Sequence, residues 1–136
     1  MHLTSFVVDN SVVMGWLIKR RATAYTKRVL VRAEREAVHA SAVWPFELSN
    51  ALFMLQRRAL IRADEADAVL AQALRLDFIV DAEPAAPRVL LDWSRRSALT
   101  SYDASYVELA ARHGWPLATL DGPIQHTAQR LGIALA

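Results

Sequence analysis

The sequence predicts an α/β protein, a three-layer α/β/α sandwich with a central parallel sheet. Short apolar segments of strand length alternate with longer amphipathic segments of helix length along the 136 residues. Segments such as "FVV" and "FIV" are uninterrupted apolar runs, which is typical of strands buried on both faces. Helices that alternate with such strands join parallel neighbours and cover both faces of their sheet.

The first half of the chain is predicted to contain two strands and four helices. Pro45 marks the start of the third helix, since proline is well tolerated in a first turn. The predicted elements are strand Ser5–Val8, helices Val12–Arg20 and Ala24–Glu36, strand Ala37–Val43, and helices Phe46–Ala59 and Asp64–Leu74.

The second half repeats the alternation. Gly114 ends one of its helices, as glycine commonly does just after a last helical turn. The predicted elements are strand Phe78–Val80, helices Pro87–Ala98 and Tyr102–His113, strand Leu117–Leu120, helix Ile124–Leu131 and a short last strand, Ile133–Leu135.

Composition favours one globular domain that spans residues 1–136. No apolar run approaches the roughly twenty residues of a membrane span, and the first residues lack a signal-peptide pattern. The chain has no cysteine, so disulfides and thiolate zinc sites are excluded and a cytoplasmic location is expected. The apolar fraction of 54% is high for a small domain, and we therefore expect a permanent interface such as a homodimer.

The charge balance is mildly basic, with a net charge of +2. Arginine supplies nearly all of the positive charge, and it clusters at Lys19–Arg21, Arg57–Arg58 and Arg95–Arg96. Guanidinium groups suit phosphates, but such clusters also occur on ordinary solvated helix faces. Charge alone does not decide the function.

Four carboxylates are expected at one edge of the predicted sheet. Asp9 directly follows the first strand, where burial of a charge is costly, and Asp121 follows "PLATL" in the same way. Glu47 and Asp103 lie in the first turns of predicted helices. Since strand ends and helix starts share one edge of a parallel sheet, we expect all four carboxylates within about 10 Å of a common point.

Each of these carboxylates also fits a purely structural role. A shared site explains the set better than four separate coincidences in apolar surroundings. The structural roles are a helix cap for Asp9 or Ser11, a helix-dipole partner for Glu47, a capping box from Thr100 to Asp103, and a turn at Asp121-Gly122.

Carboxylates gathered at one place repel one another unless a cation neutralises them. Their oxygens are hard ligands, so Mg²⁺ or Mn²⁺ is the expected cofactor, and such an ion can promote attack of water on a phosphodiester. Ser11 is expected to hydrogen-bond a carboxylate or a water of the site. Asn50, one helical turn after Glu47, is expected to orient that side chain.

Other chemistries have weaker support. The four histidines show no metal-ligand spacing, although a metal-free ribonuclease with a histidine pair stays open. Asp81 also ends a strand and joins the site only if that strand lies near the middle of the sheet. A phosphoacceptor signalling module normally has a lysine after its last long strand, whereas both lysines here lie before residue 28. A protein-binding domain with a vestigial acidic site is the remaining alternative.

Four segments resemble successive motifs of PIN domains, in particular those of VapC-type toxins from bacterial toxin–antitoxin pairs. The resemblance runs from Phe6 to Ile133, and the segments are "FVVDNSV", "PFELSNAL", "TSYDASYVELAARHG" and "LATLDGPIQHTAQRLGI". Carried onto this chain, the acidic quartet of the family falls on Asp9, Glu47, Asp103 and Asp121. Ser11 matches the hydroxyl residue after the first aspartate, while Asn10 replaces the usual threonine or serine.

The resemblance implies an Mg²⁺- or Mn²⁺-dependent endoribonuclease with an α/β/α fold, usually dimeric and inhibited by a cognate antitoxin. Such antitoxins lay a helix and an arm along an apolar groove and often direct an arginine towards the carboxylates. Apolar residues such as Trp16, Phe53 and Met54 are then candidates for contacts with an antitoxin, or else simply core residues.

Overall fold

The computed structural model describes residues 4–136, which are built around a parallel sheet of four strands in the order β3-β2-β1-β4. Each of the three strand pairings is parallel. The prediction of a central parallel sheet is confirmed. The strands are β1 (Ser5–Val8), β2 (Ala37–Ala40), β3 (Phe78–Val80) and β4 (Leu117–Ala118).

Helices cover both faces of this sheet. The first four pack against one another on one face, and the last three pack together on the other, which confirms the three-layer sandwich. The helices are α1 (Asn10–Leu17), α2 (Ala24–Ala33), α3 (Trp44–Arg57), α4 (Ala63–Leu74), α5 (Pro87–Ser97), α6 (Ser101–His113) and α7 (Gly122–Arg130). A short 3₁₀ turn at Lys19–Arg21 separates α1 from α2.

The first strand and the helix after it form the centre of the core. Phe6, Val7 and Val8 are completely buried, because β1 has a strand on either side and helices above and below. α1 lies very close to α2 at Gly15, where a Cβ atom would come within 2.6 Å of the Cγ2 atom of Thr26.

Three strand predictions differ from the structure, two of them at the carboxyl end of the strand and one along its whole length. β2 ends at Ala40 rather than at Val43, because the chain turns at Ser41, whose carbonyl accepts a hydrogen bond from the backbone N–H of Trp44. β4 ends at Ala118 rather than at Leu120. The predicted last strand, Ile133–Leu135, is wrong: only Leu135 bridges to Leu117, since β4 is too short to support a longer ladder.

Within residues 4–136, no helix has both the length and the apolar character that crossing a membrane requires.

Candidate metal centre

The carboxyl ends of the strands and the amino ends of four helices meet at one edge of the sheet, which we call the acidic edge. Asp9 leaves β1 and is the N-cap of α1, and Asp121 is the N-cap of α7. Glu47 lies in the first turn of α3, and Asp103 lies in the first turn of α6. The topology places the four predicted side chains at the acidic edge.

Asp9 is the most buried of the four carboxylates, with 4% of its surface exposed. Its Oδ1 atom accepts hydrogen bonds from the backbone N–H of Ser11 (3.0 Å), from the Ser11 hydroxyl (2.5 Å) and from the backbone N–H of Val12 (3.4 Å). The Thr119 hydroxyl donates to Oδ2 at 2.5 Å. Asp9 is therefore both a helix cap and a rigidly held carboxylate.

Thr119 and Ser11 connect the two strand ends that carry aspartates. The Thr119 hydroxyl accepts a hydrogen bond from the backbone N–H of Asp121 (3.0 Å), and the Ser11 hydroxyl accepts one from the backbone N–H of Leu120 (3.0 Å). These bonds replace ladder hydrogen bonds of β4, which explains why that strand is shorter than predicted. The predicted contact between Ser11 and a carboxylate is confirmed.

Glu47 is oriented by Tyr106, which lies two turns into the body of α6. The Tyr106 hydroxyl donates to Oε1 of Glu47 at 2.5 Å, and the tyrosine ring is 1% exposed in the core. Asn50 was expected to orient Glu47, but among the described residues no hydrogen bond joins the two. Asn50 is exposed and lines the same cavity as Glu47, so the orienting role belongs to Tyr106.

Burial and mutual repulsion raise the pKa values of three of these carboxyl groups. Burial raises the pKa of Asp9, with a smaller contribution from the charge of Asp121, although hydrogen bonds from Ser11, Thr119 and Val12 oppose the shift. Burial also raises the pKa of Glu47, as do the charges of Asp103 and Asp9, against the Tyr106 hydrogen bond. The pKa of Asp103 rises through burial and the charge of Asp121.

No lysine or arginine of residues 4–136 forms an ion pair with any of the four carboxylates. Partly desolvated like charges without a cationic partner favour an added cation. Equally, no three acidic or histidine side chains in the described range are close enough together to form a ready-made cage. The donor set fits Mg²⁺ or Mn²⁺, because Mg²⁺ keeps several waters and takes only one or two carboxylates directly.

Asp81 does not belong to the acidic edge. It follows β3, one of the two outer strands of the described sheet, and pairs with Arg112 at 2.7 Å. Arg112 also binds Glu108 at 2.8 Å, so the cluster ties α6 to the end of β3. Although burial alone raises the pKa of Asp81, the Arg112 hydrogen bond holds it below its usual value.

Two residues of the acidic edge, Tyr106 and Thr119, were not predicted. Both lie within sequence segments that carry the resemblance, "YDASY" and "LATLD". Their partners are 59 and 110 residues away in the chain, so spacing along the sequence gives no direct signal for either contact.

The fold and this edge define an α/β protein with a cluster of carboxylates beside its central strands. Residues 6–130 match the family model of the PIN domain, and the chain belongs to this family. The resemblance found in the sequence is confirmed.

Relatives and solved structures agree with this assignment. A protein of Mycobacterium tuberculosis named Ribonuclease VapC3 is 33% identical over 115 residues, or 85% of this chain and 81% of the relative. The crystal structure of PAE2754 from Pyrobaculum aerophilum has a TM-score of 0.71 at 24% identity, covering 91% of this chain and 79% of that one. VapBC2 from Rickettsia felis, solved bound to a DNA fragment from their promoter, has a TM-score of 0.66 at 12% identity and 98% coverage of both chains.

Proposed function

We propose that this protein is a divalent-metal-dependent endoribonuclease and the toxin of a toxin–antitoxin pair. The observation that carries the proposal is the acidic edge, where partly desolvated carboxylates converge beside the central strands and form no ion pair with a lysine or arginine of residues 4–136. Membership of the PIN domain family and the similarity to a protein named Ribonuclease VapC3 support the same chemistry.

In this proposal Asp9, Glu47, Asp103 and Asp121 hold Mg²⁺ or Mn²⁺ directly or through water. When bound there, the cation would supply positive charge to the phosphodiester and lower the pKa of an attacking water. The side chains of the protein hold these carboxylates in position and accept a proton. Asp9 is held by four hydrogen bonds and cannot turn away, while Tyr106 fixes one oxygen of Glu47 and leaves the other free. The raised pKa makes the Glu47 carboxylate a stronger base than an ordinary glutamate.

The test is cleavage of a total RNA pool with Mg²⁺, Mn²⁺ or EDTA. We expect Asp9→Asn to abolish cleavage without unfolding the protein, because it keeps the side-chain shape and removes one charge. Asp92→Asn is the matched control, since Asp92 is an exposed residue of α5 that pairs only with Arg96. We expect its activity to equal that of the wild type.

Cleavage that persists in EDTA or in the Asp9→Asn protein would contradict the metal-nuclease proposal and favour a histidine pair instead. Two of the four histidines, His39 and His113, lie away from the acidic edge. The rings of His39 and His113 both stack on Trp115, at centroid distances of 3.8 and 4.1 Å. Trp115 precedes β4, at the opposite edge of the sheet.

We further propose that the antitoxin binds the helix face beside β3. Two apolar cavities of about 180 and 320 Å³ lie there, and the similarity to VapBC2 supports a complex. Trp16 lines the first cavity, and Leu74, which is 71% exposed, lines the second. Of the other candidates, Phe53 is exposed and Met54 is half-buried.

Light scattering tests two proposals about assembly: that the protein forms a homodimer and that it binds an antitoxin. We expect the protein alone to show twice the mass of one chain, as a homodimer, and to gain mass with the product of an adjacent antitoxin gene. Leu74→Glu should prevent that gain, because it places a charge in the apolar cavity, while RNA cleavage stays unchanged. A monomer at micromolar concentration, or normal complex formation by Leu74→Glu, would contradict the respective proposal.

A further inference from the structure

Two aromatic side chains stand exposed directly beside the acidic edge. Phe46, immediately before Glu47, is 78% exposed, which is the highest value among the large apolar side chains of the described residues. Tyr102, immediately before Asp103, is 65% exposed. Exposed aromatic rings beside polar groups mark binding surfaces, since each ring loses favourable burial until a ligand covers it.

Helix geometry explains why both rings flank the carboxylates. Neighbouring residues of a helix point in directions about 100° apart, so a residue next to an inward carboxylate lies at the side of the site. α3 and α6 both begin at the acidic edge; Phe46 is the third residue of α3 and Tyr102 the second of α6, and each directly precedes a carboxylate. Both line one open cavity of about 590 Å³ together with Glu47 and Asp103. That volume is in the range of pockets that hold small ligands.

The charge of this cavity excludes one common way of binding RNA. None of its lining residues is a lysine or an arginine, and two are carboxylates. Direct pairing of phosphates with basic side chains therefore does not supply affinity there. Aromatic rings offer an alternative, because stacking of bases on them contributes to binding of single-stranded RNA regardless of charge.

We propose that Phe46 and Tyr102 form a stacking subsite for an unpaired base next to the scissile phosphate. This inference rests on the proposed ribonuclease function. A phosphodiester at Glu47 and Asp103 brings the adjoining bases into the same cavity. A base paired within a duplex has both faces covered by its neighbours and cannot enter. Asn50 and Thr100, also in the cavity wall, present polar groups to the edge of the bound base.

The first test measures binding without cleavage, in the full-length Asp9→Asn protein with Mg²⁺. The probes are a short fluorescein-labelled single-stranded RNA and the same RNA annealed to its complement. We expect tighter binding of the single strand. Phe46→Leu and Tyr102→Leu, which keep an apolar side chain but remove the aromatic face, should each weaken single-strand binding about fivefold or more.

Phe53→Leu is the matched control. Phe53 lies two turns further along α3, is 56% exposed, and is not part of the cavity. We expect its binding to match that of the parent protein. A second measurement uses wild-type enzyme and RNAs with one abasic nucleotide at successive positions. One abasic position beside the cleaved bond should slow cleavage, and Phe46→Leu should add little further loss on that RNA.

Several outcomes would overturn the subsite. One is unchanged single-strand binding in both leucine variants, and another is a loss of duplex binding in these variants equal to the loss of single-strand binding. A third is a changed mass of the variants in light scattering, which would make the aromatic pair an interface between copies. If wild-type protein cleaves RNA with Mg²⁺ while both leucine variants bind normally, the subsite alone is wrong. If wild-type protein cleaves no RNA, the proposed function is wrong as well.

Discussion

At the scale of single residues, the hydroxyl of Tyr106 gives the sharpest test of how the acidic edge is organised. Tyr106→Phe removes only the donor to Glu47 and leaves the buried ring in place. Loss of that hydrogen bond raises the pKa of Glu47 further and frees its side chain to rotate. We expect a roughly 10- to 100-fold loss of cleavage rate and weaker Mg²⁺ binding in calorimetry, as for other residues that orient metal ligands.

Ser105→Ala is the matched control for this experiment. It also removes a hydroxyl from α6, but that hydroxyl bonds to Ser41 at 2.6 Å and not to a site carboxylate. Thermal stability should fall slightly while Mg²⁺ affinity stays at the wild-type value. If Tyr106→Phe binds Mg²⁺ as tightly as the wild type, Tyr106 does not position Glu47.

The carboxylates and the Ser11 contact could be predicted from the sequence, whereas the roles of Tyr106 and Thr119 in holding the carboxylates could not. Asp9 and Glu47 are recognisable because burying a charge in an apolar segment is costly. Strand ends and helix starts also share the edge of a parallel sheet where ligands bind. Tyr106 looks like an ordinary core aromatic until the fold brings α3 and α6 to the same edge of the sheet, where its hydroxyl meets Glu47. Asn50 was expected to take its role because residues one turn apart are neighbours on a helix, but the structure leaves Asn50 in solvent.

At the scale of secondary-structure elements, the close packing of α1 on α2 fixes where Asp9 lies. Thr26 faces Gly15, is completely buried, and forms a capping box with Thr23. It therefore cannot move aside for a new methyl group. We expect Gly15→Ala to lower the free energy of unfolding by about 1–3 kcal/mol, measured by urea denaturation, although alanine favours helix more than glycine does.

Gly122→Ala, also in a helix, is the control for this substitution. No atom lies within 4 Å of the place its Cβ would take, and its backbone is not left-handed. Its stability should equal or slightly exceed that of the wild type. Equal stability of the Gly15→Ala protein would show that α1 and α2 separate at little cost.

Element types were predicted better than element ends, for a physical reason. Apolar periodicity reports which segments are buried, so the four strands and seven helices of the described chain were all anticipated. It does not report where a strand stops pairing. β4 stops early because Thr119 and Leu120 bond to Asp9 and Ser11 instead of continuing the ladder. Those contacts are between distant segments and are invisible to a local pattern.

At the scale of the whole molecule, the acidic edge makes stability depend on pH. The pKa values of Asp9, Glu47 and Asp103 are raised in the folded protein, so that state binds protons at a higher pH than the unfolded chain. These groups stabilise the fold fully below their unfolded pKa values, and this contribution is lost as pH rises through the folded ones. Asp81 opposes this trend: although burial is the largest single effect and raises its pKa, the hydrogen bonds from Arg112 and Glu83 and the charge of Arg112 together lower it.

Near neutral pH, metal binding should offset the repulsion among these carboxylates and so stabilise the fold. We expect Mg²⁺ at about 100 times its dissociation constant to raise the free energy of unfolding by about 2.7 kcal/mol, as measured by thermal melts against EDTA. The gain should shrink as pH falls, because protons compete for the same oxygens.

Asp9→Asn should melt no lower than the wild type in EDTA, since it removes a costly buried charge, and should gain less from Mg²⁺. Asp64→Asn, on an exposed turn of α4 beside Arg62, should respond to Mg²⁺ as the wild type does. Identical melting of the wild type in Mg²⁺ and EDTA would contradict the assignment of the acidic edge as a metal centre.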